Sequence, residues 1–379
     1  MIYYDAIIVG AGPAGSSCAA LLSQAGMRVM LCDRAKFPRH KICGDCINPQ
    51  AWPLFEFLGI GDKLRQTGPQ VIDGIRITNA NGFPLAIPYT GSPNRPFVTI
   101  RRSDLDFILL HQAEKNGANV LESTTVRDVM ETNGKWRIKT SSKLRNSQLQ
   151  TDYISDLLIG ADGRNSLIAQ RIGNQSRLCT SGKDRIGMQW FTKHQPQISS
   201  HIELFLSHLG YFGLVNVDKQ TANLAMVTTA NTTQMANHNL SGFLQEIHKS
   251  NPVVAERKLD LTPQGAISTA FPIEPTRCSA NRQNAFLIGD AAQTVEPFTG
   301  EGVLLAIQDG IRTANTILNK FQKRKQQINF EKRSPFWANR LFSSILQNVE
   351  LTNRFIPLGV KYPGIANSIL KLIMPAADK

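Results

Sequence analysis

A glycine-rich segment near the start of the chain constrains its fold more than any other feature. The apolar run Ala6–Val9 ends at Gly10, and Gly10, Gly12 and Gly15 form a G-x-G-x-x-G pattern before an Ala- and Leu-rich stretch. A strand, a tight turn and a helix in this order let the backbone approach a diphosphate, towards which the helix N-terminus points free N–H groups. Asp33, eighteen residues after Gly15, lies where a carboxylate accepts hydrogen bonds from a ribose. The segment therefore predicts a dinucleotide-binding βαβ unit, with an ordinary glycine-rich turn as the alternative.

Two later segments each place an aspartate at the end of an apolar strand. The first, residues 156–173, contains Asp162, and the second, residues 284–310, contains Asp290. The carboxyl ends of strands form the edge at which α/β sheets bind ligands. Asp290 can accept hydrogen bonds from a ribityl chain, which only flavins possess, so these segments favour FAD over NAD. The turn at 297–302 begins a helix whose positive end suits the negative charge of a reduced flavin.

In these motifs the chain resembles the FAD-dependent oxidoreductases built like p-hydroxybenzoate hydroxylase. Within them it is most similar to the geranylgeranyl reductase-related branch, which includes monooxygenases and halogenases. The resemblance rests on GAGPAG, RRSDLD, GADGRNS and GDAAQTVEPFTGEG, which occur in the family's order and spacing over residues 1 to about 320. It implies an α/β fold: a Rossmann-like, three-layer FAD-binding domain (GR2-type) with an inserted, mainly antiparallel β-sheet substrate domain and C-terminal helices.

The resemblance also implies which residues bind the cofactor. Asp33 would hold the adenosine ribose, Asp290 the ribityl chain and Arg102 the FAD phosphates. Asp162 would line the region between FAD and an incoming nicotinamide, although it could instead be a turn residue, and Arg102 could simply pair with Asp106 on its own helix. No metal site is predicted. The implied cofactor-binding set is Gly10, Gly12, Pro13, Ala14, Gly15, Asp33, Arg34, Arg39, Cys43, Gly44, Arg102, Asp162, Gly289, Asp290, Pro297, Gly300, Gly302 and Val303.

Residues 41–46, KICGDC, contain two cysteines separated by two residues, a pattern with several interpretations. Zinc binding is disfavoured because no second Cys or His pair has ligand spacing. A working dithiol normally opens a helix directly after a strand, and a structural loop with incidental cysteines is a further alternative. Because the reductase-like branch carries a similar FPR–K–CG loop, we expect this loop to line the flavin, with Gly44 admitting close approach of the ring. Cys43 and Asp45 are the predicted catalytic residues, and in a reductase Cys43 would position or protonate the substrate.

The family resemblance and the alternation of apolar residues divide the chain into three parts. The FAD-binding domain is predicted at 1–70, 98–180 and 271–320, the substrate domain at 71–97 and 181–270, and a C-terminal helical segment at 321–379. In the substrate domain we expect strands at about 71–78, 84–88, 185–193, 200–206, 211–217 and 222–229. Its polar cavity candidates, each better explained as a surface or hairpin residue, are His194, His201, Glu203, His208 and Tyr211.

The charge of the chain favours anionic partners. Lys and Arg outnumber Asp and Glu by 42 to 29, which suits a phosphorylated cofactor or an acidic membrane surface, while no basic-aromatic module of a nucleic-acid binder is visible. The C-terminal segment carries a basic run with Lys320, Lys323, Arg324 and Lys325, followed by apolar helix-like stretches that we expect to break at Pro357 and Pro363. It is predicted either to cap the FAD-binding domain or to enter a lipid surface. Without a signal peptide or a long apolar run, the chain is expected in the cytoplasm, free or at the inner membrane surface.

The motifs leave the reaction open. NAD(P)H or another donor would reduce FAD. The reduced flavin could then support oxygenation, reduction of an isoprenoid C=C bond or halogenation. Non-catalytic binding of FAD is a further alternative. Prenyl reductases usually carry a Tyr-x-Trp-x-Phe-Pro strand, whereas the nearest segment here is YFGLVNV at 211–217. The sequence therefore favours an NAD(P)H-dependent monooxygenase that hydroxylates or epoxidises a bulky apolar or phenolic metabolite. A geranylgeranyl reductase-like enzyme and a flavin-dependent halogenase are the alternatives.

Overall fold

The helices and strands of the protein form two large β-sheets with helices on their faces. The computed structural model describes residues 2–89, 91–144, 147–174, 185–273, 277–280, 284–297, 300–322, 344–346, 348–362 and 364. The helices are α1 (Pro13–Gln24), α2 (Trp52–Phe57), α3 (Gly61–Gln66), α4 (Arg102–Lys115), α5 (Leu167–Ile172), α6 (Ala230–His238), α7 (Leu240–Ser250), α8 (Pro252–Glu256), α9 (Gly302–Gln322) and α10 (Val349–Lys361). The strands are β1 (Ile2–Val9), β2 (Val29–Cys32), β3 (Cys46–Ile47), β4 (Gln70–Val71), β5 (Gly74–Thr78), β6 (Pro84–Pro88), β7 (Val98–Thr99), β8 (Asn119–Leu121), β9 (Thr124–Thr132), β10 (Lys135–Leu144), β11 (Ser147–Gly160), β12 (Gly173–Asn174), β13 (Arg185–Lys193), β14 (His201–Ser207), β15 (Gly210–Asn216), β16 (Thr221–Thr229), β17 (Ser268–Ala270), β18 (Ser279–Ala280) and β19 (Ala285–Leu287).

The first large sheet, which we call the FAD sheet, has a parallel centre. Its order is β8-β2-β1-β11-β10-β9, and β19 pairs in parallel with the end of β11. The central strands read as unbroken apolar runs because both faces are covered. On one face Ile8 and Leu31 pack with α1, α4 and α9, while Ile7 and Met30 pack on the other face with residues of β9 and β10.

The strand register brings the three predicted motifs to one edge of this sheet. Val9 lies opposite both Cys32 and Gly160, and Gly160 lies opposite Leu287 on its other side. The segments that contain the glycine-rich turn, Asp33, Asp162 and Asp290 therefore leave the sheet side by side.

Close contacts fix α1 at this edge. Gly10 has a φ of +101°, and a Cβ placed on Gly15 would lie 1.9 Å from the carbonyl oxygen of Gly10, so neither position tolerates a side chain. At the far side of α1, a Cβ on Gly310 of α9 would lie 2.4 Å from the carbonyl oxygen of Ala14. The two helices thus pack backbone against backbone.

The second large sheet, the substrate sheet, has the order β17-β13-β16-β15-β14-β5-β6. All its neighbours are antiparallel except β14 and β5, and residues 217–220 connect β15 to β16 as a hairpin. The mixed α/β architecture predicted from the sequence is thereby confirmed. One predicted strand is divided, because β4 pairs with β7 in a small separate sheet while only β5 joins the substrate sheet. The domain boundaries stay a prediction, and the one at 180/181 lies outside the described residues.

The described part of the C-terminal segment packs on the substrate sheet. Leu346 and Ile356 are buried in one apolar cluster with side chains of β5, β14 and β15. The expectation of a cap on the FAD-binding domain is therefore wrong for α10. Pro357 lies inside α10 rather than ending it, because packing holds the helix despite the lost backbone donor. Pro363, residues 323–343 and residues 365–379 lie outside the described residues.

Within the described part of the chain, every helix is too short or too polar to cross a lipid bilayer.

Candidate functional site

Asp33 fastens the glycine-rich turn to the end of β2. Its Oδ2 accepts a hydrogen bond from the backbone N–H of Ala11 at 2.9 Å, and its Oδ1 accepts one from Ala35 at 2.8 Å. The carboxylate is thus held at the edge of the FAD sheet, beside the N-terminus of α1. The contact of Asp33 with a ribose stays a prediction.

Two arginines surround a buried carboxylate next to this turn. Arg102 donates two hydrogen bonds of 2.9 Å to Asp106, and Arg39 Nη2 lies 3.2 Å from the same carboxylate. The pairing of Arg102 with Asp106, which the sequence offered as its alternative role, is therefore present. Arg39 Nη2 also lies 4.0 Å from Asp33 Oδ2, so the two guanidinium groups share two carboxylates and are held beside the turn.

The same cluster contains a donor that requires an acceptor. Arg39 Nε is buried and has no hydrogen-bond partner in the described structure. A Cβ on Gly12 would meet only Arg39 Nη2, at 3.6 Å, so the space above the turn is open. A buried guanidinium N–H without a partner is costly. The Arg39 atom that faces the space above Gly12 is Nη2, and a phosphate oxygen there would accept a hydrogen bond from it. The residues present fit the diphosphate of FAD.

Lys41 is a third cation at this edge and was not predicted from the sequence. Its Nζ lies 3.7 Å from the position that a Cβ on Gly163 would take. Burial lowers the pKa of Lys41, while the charge of Asp290 opposes that shift. The only sequence signal for Lys41 is its place in the FPR–K–CG loop. An ammonium group at this edge would offset the charge of a bound diphosphate.

Asp162 and Asp290 end their strands as expected but have different partners. Asp162 accepts hydrogen bonds from the Ser166 hydroxyl at 2.5 Å and from the backbone N–H of Leu167 at 2.7 Å, so it caps α5. Burial raises the pKa of Asp162. Arg164 Nε lies 3.5 Å from Asp290 Oδ2, which joins the two strand ends by an ion pair. This geometry supports the turn role of Asp162, and its contact with a nicotinamide stays a prediction.

The start of α9 lines a small cavity beside Asp290. The cavity is small and partly open to solvent. It brings together three predicted cofactor residues, Gly289, Asp290 and Gly302. The side chain of Val303 instead packs into the core of the FAD sheet, and Arg34 is exposed. Phe298 and Thr299 of the predicted turn lie outside the described residues.

Asp45 occupies the centre of a buried network in the KICGDC loop. Its backbone has a φ of +57°, a conformation that a non-glycine residue adopts only under constraint. Its Oδ1 accepts from the backbone N–H of Arg102 at 3.1 Å and its Oδ2 from Asn223 Nδ2 at 2.7 Å. Burial raises the pKa of Asp45 to about 6. Asp45 therefore ties the loop to α4 and to the substrate sheet, and a direct catalytic role stays a prediction.

Both thiols of the loop favour their protonated form. Burial raises the pKa of Cys43, which contacts the Arg102 guanidinium, and burial raises the pKa of Cys46 well above its ordinary value. A working dithiol needs a readily formed thiolate, so this environment argues against that interpretation. Asn223 Nδ2 also donates to the Cys43 carbonyl at 2.8 Å, which fixes the loop backbone. A Cβ on Gly44 would meet nothing within 4 Å, so a planar ring has room to approach there.

A buried triad joins the substrate sheet to the turn before α9. Arg185 donates two hydrogen bonds to Glu296, at 2.8 and 3.0 Å, and the Tyr211 hydroxyl donates a short one to the same carboxylate. All three side chains are buried, and Glu296 immediately precedes Pro297. Tyr211 was among the cavity candidates, whereas Arg185 and Glu296 were missed. Their one signal was a glutamate inside an apolar run next to a Pro/Gly turn.

The other polar candidates of the substrate domain have local partners. His194 Nδ1 lies 2.8 Å from the Asp218 carbonyl oxygen, and His201 Nδ1 lies 2.9 Å from the Ser199 hydroxyl. Glu203 is buried between two arginines, at 2.6 Å from Arg76 and 3.1 Å from Arg257, and His208 is exposed. None of these described contacts brings the side chains to the KICGDC loop.

The Glu296 triad generates a stability prediction. Glu296→Gln keeps the shape of the side chain but removes the negative charge that pairs with the buried Arg185, so we expect the free energy of unfolding to fall by roughly 3 kcal/mol. Glu56→Gln is the matched control, because Glu56 pairs with Arg65 at the surface. This substitution should lower the free energy of unfolding by less than about 1 kcal/mol. Urea unfolding of both variants measures the difference. Equal losses would contradict a tightly held triad.

The environment of Asp45 generates a pH prediction. The carboxyl ordinarily titrates near 3.8 and in the fold near 6, so between these values the folded protein holds a proton that the unfolded chain has lost. The stability from this proton is complete below about pH 4 and is lost as the pH rises through 6. Relative to Asp45→Asn, the wild type should lose up to about 3 kcal/mol of unfolding free energy between pH 4 and pH 7. A difference between the two proteins that does not change with pH would contradict a raised pKa.

Comparisons with known proteins agree with this geometry. A menaquinone reductase of Mycolicibacterium smegmatis is 27% identical over 321 residues, which cover 81% of this chain and 74% of the relative. The myxobacterial chondrochloren halogenase CndH superposes with a TM-score of 0.76 at 19% identity, covering 86% of this chain and 77% of that chain. PqsL, a probable FAD-dependent monooxygenase of Pseudomonas aeruginosa, superposes with a TM-score of 0.71 at 16% identity, covering 92% and 98%.

The sequence profile described as FAD binding domain matches residues 3–328. This match covers most of the 379 residues and confirms the resemblance to FAD-dependent oxidoreductases. The chain therefore belongs to the FAD binding domain family and is an FAD-dependent enzyme.

Proposed function

We propose that this enzyme reduces a carbon–carbon double bond of a bulky, lipophilic substrate, with NAD(P)H as the electron donor. The observation that carries the proposal is the half-buried Cys43 thiol, which keeps its proton in the loop expected to line the flavin. Reduction of a C=C bond requires a proton as well as a hydride. The menaquinone reductase relative, named for a lipid quinone, also supports this reaction class.

The residues at the edge of the FAD sheet would hold the cofactor. Arg39 Nη2 faces the space above the glycine-rich turn and, together with Arg102 and Lys41, would neutralise the diphosphate, while Asp290 would bind the ribityl chain. When bound, FAD supplies a hydride that it has received from the reduced nicotinamide. The chain itself must orient the double bond, exclude water and deliver a proton.

Cys43 would deliver that proton. One alkene carbon receives the hydride and the other receives the Cys43 proton, so the product gains two hydrogens and the thiol becomes a thiolate. The Arg102 guanidinium, which contacts the thiol, would stabilise the thiolate until solvent reprotonates it. Asp45 and Asn223 would serve as positioning residues, since they hold the backbone on which Cys43 stands.

Oxygenation, the reaction that the sequence favoured, is the second candidate. The strand β15 replaces the Tyr-x-Trp-x-Phe-Pro pattern usual in prenyl reductases, and its Tyr211 is engaged by Glu296 rather than left free for substrate. A monooxygenase would use the same cofactor edge, and Cys43 would then only line the pocket. Halogenation, to which the fold is equally suited, has no described residue that favours it.

The product of the reaction distinguishes the two candidates. We expect the FAD-loaded enzyme with NAD(P)H and a short-chain menaquinone to add two hydrogens to the prenyl chain under strictly anaerobic conditions, as followed by mass spectrometry. A product that contains one additional oxygen atom and forms only in air would replace reduction by oxygenation. Failure of the protein to bind FAD would contradict both candidate reactions.

The role of Cys43 can be tested with its neighbour as the matched control. Cys43→Ala should lower the rate of alkene reduction about 100-fold, the scale of one general acid, while flavin reduction by NAD(P)H stays at the wild-type rate. Cys46→Ser should keep FAD and full turnover, because its thiol points to the Gly44 carbonyl. Rapid-mixing absorbance separates the two half-reactions. Wild-type turnover in Cys43→Ala would exclude the thiol as proton donor, and lost turnover in Cys46→Ser would revive a dithiol mechanism.

A further inference from the structure

The helix α10 presents a second apolar face to the surface. Leu351, Phe355 and Leu358 recur at intervals of four and three residues on one stripe of the helix, and Tyr362, the residue directly after α10, continues the spacing. The side chains of Phe355, Leu358 and Tyr362 are 53%, 50% and 48% exposed. We call these four residues the α10 stripe.

The position of this helix is fixed by a different face. Thr352 and Ile356 are buried where α10 contacts β6 and β14 of the substrate sheet. The packing that holds the helix therefore leaves the α10 stripe uncovered by the described residues. Three of the twelve large exposed apolar side chains in the described structure, those of Phe355, Leu358 and Tyr362, belong to the α10 stripe. Isolated exposed apolar residues are ordinary, but a concentration of this kind marks an interaction surface.

Charge around the stripe indicates the chemistry of its partner. Arg354 and Lys361 are both exposed and flank Leu358 at the preceding and the following turn. Residues 320–379 contain eleven Lys and Arg and only three Asp and Glu, a net charge of +8 out of +13 for the whole chain. An apolar stripe beside basic side chains fits the interface of an anionic bilayer, where the stripe enters the acyl boundary and the cations meet headgroups.

We propose that α10 docks the enzyme on an anionic lipid surface through the α10 stripe. Because α10 packs directly on β6 and β14, docking places the substrate sheet at the bilayer, the phase in which a lipophilic substrate is dissolved. The proposal concerns binding and does not depend on which reaction the flavin performs.

Vesicle flotation of the full-length, FAD-loaded protein tests the stripe. We expect the wild type to float with vesicles of phosphatidylcholine containing about 30% phosphatidylglycerol, and Phe355→Ser/Leu358→Ser/Tyr362→Ser to partition at least tenfold less. The matched control is Val71→Ser/Phe83→Ser/Met130→Ser, which removes apolar side chains that are 58%, 55% and 37% exposed elsewhere. It should float like the wild type. Equal flotation of the stripe variant and the wild type would overturn the proposal.

A charge variant tests the choice of an anionic surface. Arg354→Gln/Lys361→Gln should bind phosphatidylglycerol vesicles several-fold more weakly, whereas Lys115→Gln/Lys139→Gln, which removes two exposed charges elsewhere, should not. Equal binding of the wild type to vesicles of pure phosphatidylcholine would contradict the electrostatic part.

Two further measurements keep the test decisive. FAD content and thermal unfolding show whether the stripe variant folds. If it does not fold, the tryptophan fluorescence of Leu358→Trp is measured with vesicles of brominated lipid. Quenching of this fluorescence supports docking, and its absence overturns the proposal. Size-exclusion chromatography without lipid tests whether the stripe instead binds a second copy of the chain. A wild-type dimer that the stripe variant abolishes, with no vesicle binding by either protein, would assign the stripe to a second copy of the chain instead.

Discussion

Asp106 is the buried carboxylate on which the arrangement of the cofactor edge depends. It stands on α4 without solvent contact and compensates Arg102 and Arg39 at once. Removing a carboxylate from water is costly unless cations and hydrogen bonds replace the solvent, and each guanidinium needs the carboxylate for the same reason. The cluster therefore fixes two guanidinium groups beside the N-terminus of α1, where Asp33 also lies 4.0 Å from Arg39. It complements the partial positive charge of that helix end, so both attract a diphosphate to one place.

The second requirement is that the substrate sheet keeps its position relative to this edge. Two buried contacts supply it: Asp45 with Asn223 of β16, and Glu296 with Arg185 of β13. Each joins a loop of the FAD sheet to a strand of the substrate sheet through a charged group that has no access to water. Since a catalytic group must be held within fractions of an ångström, these contacts matter to the chemistry even where they do not touch the substrate.

Sequence reasoning predicted the parts of the structure that follow from local pattern. The glycine-rich turn, the aspartates at three strand ends and most strands of the substrate sheet were found because each has a signature within a few residues. Glu296 and Lys41 were missed because their significance lies in distant partners: Glu296 meets Arg185, 111 residues away in sequence, and Lys41 meets Asp290. The helix α10 shows the converse, since Pro357 predicts a break that tertiary packing overrides. Asp45 was singled out from the loop motif, whereas its burial and its bonds to Arg102 and Asn223 follow from tertiary contacts that no local pattern reveals.

The account stands on a diphosphate bound where Arg39, Arg102 and the start of α1 meet. A crystal structure of the protein with FAD is the most direct measurement of that claim. We predict a phosphate oxygen within about 3 Å of Arg39 Nη2, with the isoalloxazine ring extending towards Gly44 and Cys43. A diphosphate bound elsewhere, or an Arg39 side chain turned away into solvent, would contradict it.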